Sequence, residues 1–163
     1  MKNENTQRII TLIVRVVVAA VFLYAGISKA GDPEAFALAI DRYRAVPNGV
    51  AVVTALFLPW LEITCAIALF FKVLRAGAAA LLGACGVVFV VMLAIALARG
   101  LDISCGCFGG DDAATGSAAL AFSLARAFVL ACACAWLLAR EVKMRTLEIK
   151  MRAHEMKTGK TAA

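Results

Sequence analysis

Residues 76–98 read AGAAALLGACGVVFVVMLAIALA, a run with no charged side chain. A helix rises about 1.5 Å per residue, so roughly 20 apolar residues cross a hydrocarbon core about 30 Å thick. Three further runs reach that length, at 9–29, 50–71 and 117–139. In lipid, backbone N–H and C=O groups must find partners within the protein, so each run is expected to be a helix. The expected fold class is all-α: a polytopic four-transmembrane-helix bundle over 1–139, followed by a basic, partly helical tail over 140–163. Composition agrees. Of 163 residues, 63% are hydrophobic and 17% charged, whereas soluble domains carry about a quarter charged residues. The first run does not read as a cleaved leader: it contains Arg15, exceeds the length of a leader's apolar core and precedes three more spans.

The net charge of +6 is distributed unevenly. Lys2 and Arg8 precede the first span, and Lys72 and Arg75 join the second to the third. Arg140, Lys143, Arg145, Lys150, Arg152, Lys157 and Lys160 follow the fourth. The other two loops carry Asp32, Glu34, Asp41, Asp102, Asp111 and Asp112. The positive-inside rule therefore predicts both termini in the cytoplasm, with loops 30–49 and 99–116 facing out; if the host is a bacterium, the membrane is its inner membrane and those loops face the periplasm. The tail is interrupted by Glu141, Glu148 and Glu155 and carries no aromatics, so it reads as a membrane-surface element and not a nucleic-acid patch.

Local signals add detail. Phe36, Ile40 and Tyr43 recur at helical spacing, with Asp41, Arg42 and Arg44 between them. This predicts a short amphipathic helix at the outer interface between spans one and two. Asp32 serves as its N-cap and Pro33 as its first residue. Pro59 interrupts span two and is expected to kink it. The small residues of span three place it in the bundle core. Beyond Arg140, Met144, Leu147 and Met151 share one face, and Glu141–Arg145 and Glu148–Arg152 are i,i+4 pairs, consistent with a continuing helix.

Arg15, Glu62 and Arg126 lie well inside spans. A charge facing lipid costs at least about 2.5 kcal/mol, so such residues turn inward and pair. Relative depth predicts a polar cluster centred on Glu62, with Arg15 and Arg126 as partners. It serves helix packing or, alternatively, a proton relay or a quinone head-group site. Lys29, at the end of span one, either snorkels to head groups or faces the following cysteine loop.

Six cysteines are present. Cys65, Cys85, Cys132 and Cys134 lie in spans, where a free thiol behaves as a small hydrophobe. The single histidine, His154, lies in the tail and suggests no metal site. Cys105 and Cys107 occur in DISCGCFGG, residues 102–110, in the loop expected to face out. Thiols pair in an oxidising periplasm, and Gly106 allows the chain to bend between them. So small a ring is strained and readily reduced, and it removes little unfolded-chain entropy. Thiol exchange suits it better than a structural staple; a structural or metal-binding role is the alternative. Phe108 and Gly109 provide an apolar, pliant surface beside the pair.

Taken together, Arg15, the segment AGISK at 25–29, Asp32-Pro33, Phe36, Tyr43, LPWLE at 58–62, CGCFG at 105–109 and Arg126 resemble the family of the methylamine-utilisation membrane protein MauE, within the wider DoxX-like group. The resemblance runs from about residue 15 to 126. It implies a four-helix, redox-associated membrane maturation protein that supports thiol–disulfide exchange with a periplasmic thioredoxin-like partner or client. Cys105 and Cys107 would then be the reactive pair of a thiol–disulfide oxidoreductase component, and a quinone is the cofactor such relatives suggest. The alternatives are a non-catalytic assembly or scaffold subunit, and a small quinone-linked or transport subunit using the Glu62 cluster.

Overall fold

The computed structural model describes residues 2–43, 47–100 and 117–160. Five helices account for almost all of them: α1 (Lys2–Gly31), α2 (Pro33–Arg42), α3 (Asn48–Ala68), α4 (Arg75–Ala98) and α5 (Ser117–Lys160). Four of these, all but α2, are long and apolar enough to cross a membrane. The expected all-α, four-span architecture is therefore observed.

The helix boundaries follow local chemistry. The Asp32 side chain accepts a hydrogen bond from the backbone N–H of Ala35 at 2.9 Å, and Pro33 occupies the first turn of α2. α3 continues through Pro59, which is fully buried. Residues 69–74 turn the chain from α3 to α4 through short-range backbone bonds, among them Leu74 N–H to the Phe71 carbonyl at 3.0 Å. α5 runs without a break to Lys160, so the tail helix expected from its i,i+4 pattern is present.

Two helix pairs dominate the packing, α4 with α5 and α1 with α3, and α2 packs along α3. Small residues make the close approaches. A Cβ added at Gly86 would meet the Ala131 side chain at 3.4 Å, and one added at Gly83 would meet Cys134 at 3.4 Å. These contacts join α4 to α5 through one face that carries Ala79, Leu82, Gly86 and Leu93. With 22% of its membrane-spanning stretch buried, the smallest share of the four spans, α4 is not the core helix that its small residues predict. One apolar cluster joins Val18 and Phe22 of α1, Ala66 of α3, Leu82 of α4 and Leu137 of α5. A second joins Tyr43 to Leu93, Ala96, Leu120 and Ala127. Large apolar side chains such as Phe57, Val88 and Phe122 cover the outside, as expected where the surrounding solvent is lipid.

Candidate functional site

The most deeply buried charges in the bundle are Lys29 and Glu62. Their meeting is set by register. Gly26 lies one helical turn before Lys29, and Pro59 one turn before Glu62, so each pair shares a helix face. At Gly26 the two antiparallel helices nearly touch: an added Cβ would lie 2.8 Å from Ile63 Cγ1 and 3.0 Å from the Pro59 carbonyl oxygen. That approach carries Lys29 directly to Glu62. The ammonium donates to both carboxylate oxygens, each at 2.8 Å. The side chains are only 7% and 6% exposed. The ammonium also lies 5.3 Å from the Phe36 ring centroid, so α2 closes the site on one side with an aromatic face.

Thiols occupy α3, α4 and α5 of the same bundle. Cys65, one turn beyond Glu62, is buried. Cys85 of α4 lies within electrostatic reach of Glu62, Lys29 and Cys65, and Cys134 of α5 within reach of Cys85. The four described cysteines are all free thiols.

The expected partners of Glu62 are corrected by this geometry. Both its oxygens are taken by Lys29. Arg15 instead donates to Glu141 of α5 at 2.7 Å. Arg126 is partly buried on α5. Lys29 does not snorkel: its ammonium is buried on Glu62, and the cysteine loop, the other neighbour expected for it, lies outside the described residues. The reason is stagger. Levelling the ends of spans one and two puts Arg15 beside Glu62, whereas the contact at Gly26 shifts α1 so that its last turn meets the later half of α3. Arg15 is thereby carried to the end of the bundle where the α3–α4 turn lies.

Arg15 and Glu141 form part of a polar layer at that end. Arg140 donates to Thr11 Oγ1 at 2.7 Å and to the Gln7 carbonyl at 3.2 Å. Arg145 donates to the Val73 carbonyl at 2.6 Å. These bonds tie α5 to α1 and to the α3–α4 turn. Sequence places Glu141 in the tail as the i,i+4 partner of Arg145; the structure gives it a tertiary partner, Arg15.

Cys105, Gly106, Cys107, Phe108 and Gly109 lie outside the described residues. The ends of α4 and α5 nearest them are described. Tyr43 packs there against Leu93 and Ala96 of α4 and Leu120 of α5. Its hydroxyl is buried with no hydrogen-bond partner among the described residues. Burial pushes its phenol up to about 12, because the ionised form loses hydration without gaining a donor.

Comparison with known proteins adds a family-level result. The family model for methylamine utilisation protein MauE matches residues 7–140. The chain is 33% identical over 108 residues to methylamine utilization protein MauE of Methylophilus methylotrophus, covering 66% of this chain and 55% of that one. It is 34% identical over 109 residues to methylamine utilization protein MauE of Paracoccus denitrificans, covering 66% and 59%. The match thus spans little more than half of each relative. No solved structure matches the chain.

Proposed function

The chain belongs to the MauE family, and from that premise we propose that it is a membrane maturation protein of methylamine utilisation, exchanging disulfides with a thioredoxin-like partner. The observation that carries this reading is the Cys105-Gly106-Cys107 motif between the third and fourth spans of a family member. Charge asymmetry supports an inner-membrane location with both termini cytoplasmic and the motif on the oxidising side.

In the proposed exchange, a thiolate of the partner attacks one sulfur of the Cys105–Cys107 disulfide, and the other sulfur leaves as a thiolate. The partner's second thiolate attacks the resulting mixed disulfide. The partner dithiol loses two electrons and the loop gains them. Reoxidation of the loop needs a two-electron acceptor, and a bilayer quinone is the chemical class that fits. The four-helix bundle holds the ends of the loop, with Tyr43 packed between α4 and α5 beneath them.

The test is thiol trapping in intact membranes. Cys105 and Cys107 become alkylated only after reduction, and Cys107→Ser or Cys105→Ser captures a partner as a mixed disulfide. Free thiols under oxidising conditions, with no captured partner from either variant, overturn the reading.

A second reading is a non-catalytic assembly subunit, favoured by the closure of the Lys29–Glu62 pair. Both carboxylate oxygens are occupied by one ammonium, an arrangement suited to locking α1 to α3. Serine variants at both loop cysteines that retain full maturation activity would select this reading.

A further inference from the structure

At the end of the bundle opposite Tyr43, a cleft of about 1100 Å³ opens between the first half of α1, the α3–α4 turn and the extension of α5. Seven basic side chains line it, against the carboxylates of Glu141 and Glu148. Much of that charge is uncompensated. Glu141 is engaged by Arg15, and Glu148 makes only a 3.6 Å contact with the exposed Lys72. Arg15 and Arg75 line the same cleft as like charges, and among the described residues no carboxylate pairs with Arg75. Arg75 Nε is buried and has no hydrogen-bond partner among the described residues; its terminal nitrogen reaches only the Phe70 carbonyl, at 3.3 Å.

Three features give this excess charge a direction. First, Arg75 opens α4, whose N-cap, Leu74, supplies no side-chain cap and whose first turn holds no acid. The N–H groups of Leu74 and Arg75 already donate to the Phe71 carbonyl, so the first turn presents to this region chiefly the positive end of the helix dipole. Second, a buried donor without an acceptor costs free energy that an incoming anion recovers. Third, the cleft is bordered by exposed apolar groups: Val73 is 81% exposed, with Phe71 and Leu74 beside it. Free phosphate has no use for that border, whereas a lipid carries its phosphate and acyl chains together.

We infer that this cleft binds the head group of an anionic phospholipid, its phosphate at Arg75 and Arg15 and its acyl chains against Val73 and Leu74. Basic pockets between transmembrane helices are suited to such head groups. The site ties α1, the α3–α4 turn and α5 together through the lipid, and it is independent of the thiol chemistry proposed above.

The full chain purified in detergent is titrated with phosphatidylglycerol and, separately, with phosphatidylcholine, and retained lipid is counted by native mass spectrometry. Phosphatidylglycerol is expected to be retained preferentially, and Arg75→Gln to weaken that retention about fivefold, the loss of roughly one cation near a lipid surface. Arg42→Gln, on α2 at the other end of the chain's fold, leaves retention unchanged. Excess inorganic phosphate does not displace the lipid. If Arg75→Gln fails to accumulate, Lys72→Gln on the exposed turn carries the same readout. Equal retention of the two lipids, equal loss in Arg42→Gln, or displacement by inorganic phosphate overturns the assignment.

Discussion

Lys29 holds Glu62 through both carboxylate oxygens at 2.8 Å, across a helix interface so tight that Gly26 admits no side chain. The pair is nearly closed to solvent, at 7% and 6% side-chain exposure. Removing one partner leaves the other charge buried alone, which costs about 3–5 kcal/mol, whereas replacing both by apolar groups of similar size is close to neutral. Lys29→Met and Glu62→Gln are therefore expected to destabilise the bundle strongly. The double variant Lys29→Met/Glu62→Leu is expected to recover most of the loss. Equilibrium unfolding in detergent micelles measures all three; a double variant no more stable than either single one refutes the closed-pair account.

Gly26 provides a sharper test of register. A methyl group there would meet the Pro59 carbonyl at 3.0 Å, and backbone cannot swing aside as a side chain end can. Gly26→Ala is expected to cost about 1–3 kcal/mol through overpacking. Gly77 in α4 has nothing within 4 Å of an added Cβ. Gly77→Ala is thus expected to be neutral or to gain up to about 1 kcal/mol from helix propensity. Comparing the two variants in one unfolding assay separates close packing from backbone entropy.

Individual elements were legible in the sequence because their causes are local. Span length, the Asp32 cap, Pro33 in the first turn of α2 and the i,i+4 pattern after Arg140 each depend on neighbours along the chain. The pairing of charges was not legible, because it depends on how far one span slides along another. A shift of α1 against α3 exchanges Arg15 for Lys29 opposite Glu62 without altering the hydropathy of either helix. Gly26 and Lys29, three apart, facing Pro59 and Glu62, three apart, were the available signal. It becomes readable only when a small residue and a proline carbonyl are recognised as a contact. The cysteine motif stands on the opposite footing: its chemistry is read from spacing and its geometry lies outside the described residues.

Tyr43 predicts a pH dependence. Its phenol is pushed from the ordinary 10.0 up to about 12 by burial. Below pH 10 the group is protonated in folded and unfolded chains and contributes no slope. Between pH 10 and about 12 the unfolded chain releases the proton while the folded chain keeps it, so stability falls by about 1.4 kcal/mol per pH unit. Above about 12 both states are ionised and the slope vanishes. Tyr43→Phe removes this descent and also removes a buried hydroxyl with no described partner. It is expected to leave stability at neutral pH unchanged or raised by about 1 kcal/mol. Unfolding curves of both proteins across pH 9–12 give the difference; parallel curves exclude the assignment.

Arg15 and Glu141 carry the last expectation, which concerns how α5 is attached beyond its membrane span. Their 2.7 Å ion pair is largely enclosed, with side-chain exposures of 10% and 16%. Enclosure limits screening by water and salt, so the pair should show a coupling energy of about 1–3 kcal/mol in a double-mutant cycle. Lys72 and Glu148 provide the contrast within the same cleft. They stand 3.6 Å apart with exposures of 78% and 45%, and an exposed pair at that distance should couple by no more than about 0.5 kcal/mol. The cycles use Arg15→Gln with Glu141→Gln, and Lys72→Gln with Glu148→Gln, each read by unfolding at low and high salt. Salt should erase the second coupling and leave much of the first. Equal couplings would mean that α5 is held to α1 chiefly by Arg140 and its bonds to Thr11 and Gln7.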